Sequence, residues 1–134
     1  MTRIILITFL FLCYNVKGQT KQDIKTYNFN YCYVRVTDAS SNSFIKPWAR
    51  DVEIIYDQFL KSIEILYTTN EFERVAKRLS FVSKQPNGMW YMKDSSNVNY
   101  YVLNQLENSL FMFMLAEKKQ GVIFQFEMSN DLKE

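Results

Sequence analysis

VEIIYDQFLKSIEILY, residues 52–67, is the stretch on which the fold turns. Val52, Ile55, Tyr56, Phe59, Ile63, Leu66 and Tyr67 fall on a helical stripe. Asn70 with Glu73 has the spacing of a capping box that would open a second helix over Phe72, Val75, Ala76 and Leu79. The same residues also alternate: Val52, Ile54 and Tyr56, then Ile63, Ile65 and Tyr67, around a connection at Asp57 to Ser62. β-branched and aromatic side chains dominate both halves, and these sit better on a pleated surface than on a helix. We therefore read two strands here and a mainly β chain, with an α+β arrangement carrying helices in 51–80 as the alternative.

The flanking sequence extends the strand reading. Upstream, Phe29 to Thr37 alternates, with Cys32, Val34 and Val36 on one face and Tyr31, Tyr33 and Arg35 on the other, before a turn-forming cluster at Asp38 to Ser43. Downstream come a strand at Leu79 to Ser83, the turn Pro86-Asn87-Gly88, Met89 to Lys93, the turn Asp94 to Asn97, and Val98 to Leu103. Leu110 to Leu115, the turn Glu117 to Gly121 and Val122 to Met128 complete the series. The spacing predicts an antiparallel meander of about eight short strands, curled into a small barrel or a half-open sandwich so that its edges are closed or covered.

At the N-terminus a basic residue, Arg3, precedes an apolar run from Ile4 to Leu12 and a polar stretch ending Val16-Lys17-Gly18, the layout of a cleavable secretory signal. The run falls well short of the about 20 residues that span a bilayer as a helix, so no integral membrane segment is expected after processing. The expected organisation is a signal peptide at 1–18, a polar tether at 19–27, one β-rich domain at 28–129 and a tail at 130–134, with export to the periplasm or beyond the cell.

Removing the signal changes the chemistry of what remains. The whole chain has 16 basic and 14 acidic residues, and the signal holds Arg3 and Lys17 with no acid, so the exported part is balanced in charge. It carries no basic block of the kind that reads as a nucleic-acid site. Cys13 leaves with the signal, so Cys32 has no partner for an intramolecular disulfide. A chain that is 16% aromatic is too apolar for disorder, which favours one compact domain.

The layout resembles small secreted β-meander proteins of the lipocalin-like kind found in Bacteroidetes. The resemblance rests on the signal ending at Gly18-Gln19, on Pro47-Trp48 ahead of Val52 to Asp57, and on the repeated hairpins over Trp90 to Met128. It covers most of the mature chain and implies a fold rather than an activity.

The chain has no histidine, which removes Ser-His-Asp triads, Cys-His pairs and imidazole acid–base chemistry. One cysteine and two isolated glycines in the mature chain argue against zinc sites and phosphate loops, so no catalytic residues, metal or cofactor are assigned. Paired carboxylates of the glycosidase type are the chemistry that survives, with Asp51, Glu53 and Asp57 as its thin support. Asp94 to Asn97 reads as a turn rather than a calcium loop. Cys32 reads as a core thiol.

Candidate binding residues are the aromatics Trp90, Tyr91, Tyr100 and Tyr101, which are placed to line a pocket, or to stabilise the sheet by pairing across strands. Phe111 and Phe113 join them, because Leu110 to Leu115 is apolar on both faces and its second face requires cover from the chain, a subunit or a ligand. The leading expectation is a binding module for a small apolar ligand or a protein partner. A structural role through sheet edges or the 110–115 face, with homo-oligomerisation, is second, and a carboxylate hydrolase third.

Overall fold

A computed structural model of the protein describes residues 23–133. Eight strands follow one another: β1 (Ile24–Thr37), β2 (Ser43–Asp57), β3 (Ser62–Thr69), β4 (Arg74–Lys84), β5 (Trp90–Lys93), β6 (Asn99–Gln105), β7 (Leu110–Leu115) and β8 (Ile123–Ser129). Each pairs antiparallel with the next, and β8 returns to β1 from Tyr31↔Ser129 to Thr37↔Ile123, so the meander is a closed barrel with no free edge. This is the mainly β small barrel expected from the strand pattern, and closure rather than a half-open sandwich is the form it takes. The signal peptide at 1–18 and the first part of the tether lie outside the described residues.

Residues 52–67 are strand, connection and strand. Ile54, Ile63 and Ile65 have no solvent exposure, and the register Ile54↔Ile65 and Tyr56↔Ile63 stacks these inward side chains across the β2–β3 pair. The second-helix alternative fails for a physical reason. Asn70 to Glu73 is a hairpin turn in which the Thr69 hydroxyl accepts from the backbone N–H of Glu71 and Glu73, so the capping spacing serves a turn instead of a helix start. Four of the hairpins share one design, with an N–H to C=O pair closing the loop and a left-handed residue at its fourth position: Ser41, Phe72, Gly88 and Asn97.

Several boundaries move. The tether expected at 19–27 is already strand from Ile24, pairing Ile24↔Asp57 through Tyr27↔Ile54, because polar side chains on the outer face leave the backbone free to pair. β1 and β2 run to 14 and 15 residues rather than being short. The tail at 130–134 is not loose over its described part. Lys133 N–H donates to the Tyr33 hydroxyl at 2.7 Å, and Asn30 donates its backbone N–H and its side-chain amide to Asn130 at 3.0 and 3.3 Å, folding the tail across the β1–β8 seam. That cover explains why Tyr33, on the outward parity of β1, is only 1% exposed. Beside it Arg35 pairs with Glu127 at 3.0 Å. Burial opposes the charge on Glu127, but Arg35 and Lys133 outweigh it and hold the carboxyl below its ordinary range.

Phe111 and Phe113 point into the barrel with 0% and 1% exposure. The outward residues of the same strand, Met112 and Met114, are half-buried, and Leu110 is exposed. Cys32 sits in the same interior. Burial, with a smaller push from the Glu127 charge, raises its thiol to about 12.

Candidate functional site

The barrel has two differently finished ends. Around one lie the β2–β3, β4–β5 and β6–β7 connections, and the last of these holds a short 3-10 turn, Leu106–Asn108. Leu106 turns inward from it, 3% exposed, and plugs that end. Trp90 packs edge-on below, with ring centres 5.8 Å from Tyr56 and 5.2 Å from Phe81. Outside the plug a shallow hollow of about 340 Å³ is bordered by Tyr27, Tyr56, Gln58, Asn104 and Glu107. Burial, more than the neighbouring Tyr27, Glu107 and Asp57, raises the Tyr56 phenol, against a hydrogen bond to Asn104.

At the opposite end the turns are tight and polar. Asp38 accepts from Ser40 and Asn42 N–H, and Asp94 from Ser96 and Val98 N–H, through one carboxylate oxygen in each case. Neither turn drops an apolar side chain into the barrel, and two of the interior rings, Trp48 and Phe126, are left only half-buried. Tyr67, Trp48, Phe126, Phe113 and Tyr100 form a continuous arc: centroid separations run 4.6, 4.6, 4.8 and 5.8 Å, with Phe113 and Phe126 stacked. Two joined hollows of about 330 and 220 Å³ open over this arc and share Trp48, Leu115, Lys119 and Phe126.

A bulge aims Trp48 there. Cys32 pairs with Ala49 and Tyr33 with Pro47, so Trp48 is the extra residue of β2 at that point. Pro47, which lacks a ladder donor, is tolerated beside such an irregularity. Two lysines occupy inward positions. Lys46 pairs with buried Val34, and Lys77 pairs with Ile65 between inward Val75 and Leu79. The Lys77 ammonium donates to the Tyr100 hydroxyl at 2.9 Å, and that hydroxyl donates to Asp94 at 3.1 Å. Lys77 also lies 3.8 Å from the same carboxylate. Burial opposes ionisation of Asp94, but the two turn N–H groups, the Tyr100 hydroxyl and Lys77 together hold its carboxyl below the ordinary value. Tyr67 moves the other way, its phenol raised by burial against the opposing pull of Lys77.

The sequence-predicted aromatics do not form one surface. Tyr100 joins the arc and is buried, Trp90 belongs to the plugged end, and Tyr91 and Tyr101 pair on the outside of the wall at 5.5 Å. Neighbouring residues on a strand face opposite sides, which separates Trp90 from Tyr91 and Tyr100 from Tyr101. Phe111 and Phe113 are core rather than an exposed partner surface, because barrel closure covers the inward side of β7. Asp57 is engaged by Phe59 and Leu60 N–H, both at 3.0 Å, as a turn acceptor. Among the described residues no group of three or more His, Cys, Asp or Glu is placed to hold a metal ion. Sequence reading missed Lys46, Trp48, Lys77, Lys119 and Phe126. Strand parity was the signal for both inward lysines and for Phe126, and Pro47 was the signal for the bulge.

Comparison with known proteins finds no match among family models, curated proteins or solved structures.

Proposed function

We propose that this is an exported binding protein that takes a small apolar ligand into the open end of its barrel. The observation that carries the reading is a pair of inward rings, Trp48 and Phe126, left half-buried beside a hollow of about 330 Å³. Inward aromatics normally close against one another. Here Trp48 and Phe126 do so and still face the hollow, whose size matches the lower range of small-molecule sites, roughly 300–1,000 Å³. Delivery by a cleaved signal at 1–18 and kinship with small secreted lipocalin-like proteins of Bacteroidetes belong to the same reading.

The test uses phenylnaphthylamine, an uncharged dye that brightens in apolar surroundings. Saturable binding that Trp48→Ala weakens about ten-fold or more, with Trp90→Phe leaving it unchanged, is the expected result. Equal loss from both variants, or none from Trp48→Ala, would remove the open end as the site.

A second reading has its own support. Tyr101, Leu103, Met112 and Met114 remain half-buried on the outer wall of β6 and β7, with Leu110 exposed beside them. Assembly through that strip predicts a concentration-dependent oligomer that Met114→Asp disperses. Phe113 is the wrong residue for that experiment, since Phe113→Asp would put an unpaired charge into the core.

A further inference from the structure

The charged side chains that line the two hollows over the aromatic arc are all lysines, with Asp94 and Glu117 standing outside them. The two joined hollows are lined by Lys46, Lys77 and Lys119 and by no acidic residue. Lys77 is engaged by Tyr100 and Asp94. Lys46 and Lys119 have no acid within ion-pair distance among the described residues. Lys46, like Lys77, breaks the pattern of its strand, because it holds an inward register position opposite buried Val34. It lines the hollow together with Trp48 and Phe126 and is itself exposed, the arrangement in which a lysine stem covers apolar surface and its charge stays in water. Cations beside low-dielectric aromatic walls attract an anion more strongly than the same charges on an open surface.

We propose that the ligand of the open end is a small amphipathic organic anion, its apolar body over Trp48 and Phe126 and its carboxylate or sulfonate between Lys46 and Lys119. This rests on the open end being the binding site, as argued above. A hollow of about 330 Å³ suits a compact body and excludes a polymer from the interior. A lone apolar molecule would leave the two ammonium groups partly desolvated with no partner, and an anionic head group supplies one.

The experiment compares two dyes of nearly one shape, anilinonaphthalene sulfonate and neutral phenylnaphthylamine, on the purified protein. The sulfonate should bind about ten-fold more tightly at low salt, and molar salt should shrink that preference to about two-fold. Lys46→Met with Lys119→Met should abolish the preference, so that the two dyes bind the variant with equal affinity at low and at molar salt. Lys46→Arg with Lys119→Arg should restore it, which separates charge from packing. Equal affinities in the wild type, or a full preference surviving the double Met variant, would overturn the head-group assignment while leaving the open end as an apolar site. Failure of both dyes to bind, or binding by both that ignores Trp48→Ala, would overturn the site and this inference with it.

Discussion

At one end of the barrel Leu106 turns inward from a 3-10 connection and shuts the interior; at the other, four connections with no inward apolar side chain among their tight turns leave Trp48 and Phe126 in contact with solvent. The same strands reach both ends, and one hairpin design serves three connections of the open end and one of the plugged end. What differs is the content of the loops: a leucine turns inward from one connection of the plugged end, whereas the Asp38 and Asp94 turns of the open end, closed by a carboxylate oxygen as Asp57 closes one at the plugged end, send no apolar side chain inward. A barrel of eight strands has just enough room for side chains to fill it or for one small ligand to enter. A single inward residue is therefore enough to decide which end is core and which is a mouth.

The strongest way to break this comparison is to unplug the closed end. Leu106→Ala leaves a cavity beside Trp90 and Tyr56, and its cost should be about 2–5 kcal/mol in urea melts, as for other buried leucines. Trp48→Ala, at a site already in contact with solvent, should cost less than Leu106→Ala despite removing the larger side chain. Equal losses would mean that the open end is packed core after all.

How far the open end reaches inward can be read at Cys32, which sits between Ala49 and Met128 on its neighbouring strands. An unfolded chain gives up this proton near 9.0, whereas the native thiol holds it to about 12. Because the folded value is the higher one, the native state is penalised once pH passes the unfolded value. The thiol's share of stability therefore falls as pH rises from 9 to about 12, by up to about 1.4 kcal/mol per pH unit. Cys32→Ala should flatten that part of the pH profile, and iodoacetamide at pH 9 should modify the thiol only on unfolding. Rapid modification of the native protein would place solvent, and hence the hollow, at the barrel's centre.

Much of the wall was legible because strands impose parity. Val52 to Tyr67 could be read correctly once β-branched residues were weighed against a helical stripe that the same letters also satisfy. Parity gave less at Leu110 to Leu115, where both faces are apolar and only closure distinguishes Phe111 and Phe113 from Met112 and Met114. The mouth was less legible still. Lys77 was readable as inward, sharing parity with Val75, Leu79 and Phe81, yet a charged residue on a strand is ordinarily assigned to the solvent side. Trp48 depends on a bulge that shifts the register by one, and Leu106 is a single apolar residue in a polar connection. The docking of the tail at Tyr33 joins residues 100 apart in sequence, beyond the reach of any local pattern.

The smallest expected effect lies at the rim, where Asp94 serves two roles. One carboxylate oxygen closes its own turn, which an amide oxygen can also do; the other meets the Tyr100 hydroxyl and faces Lys77. Asp94→Asn should therefore keep the turn and lose only the charge, at a cost of about 0.5–1.5 kcal/mol at neutral pH. The native carboxyl is held below its ordinary 3.8, so this stabilisation is complete above that value and disappears as pH falls through the native one. Wild type and variant melts should converge in acid. The same substitution releases Lys77 from its counter-ion inside the mouth. If the open end recognises an anionic head group, Asp94→Asn should tighten anilinonaphthalene sulfonate by about two- to five-fold while leaving phenylnaphthylamine unchanged. A carboxylate removed from the rim, with stability down and anion affinity up, would tie the difference between the two ends to charge as well as to shape.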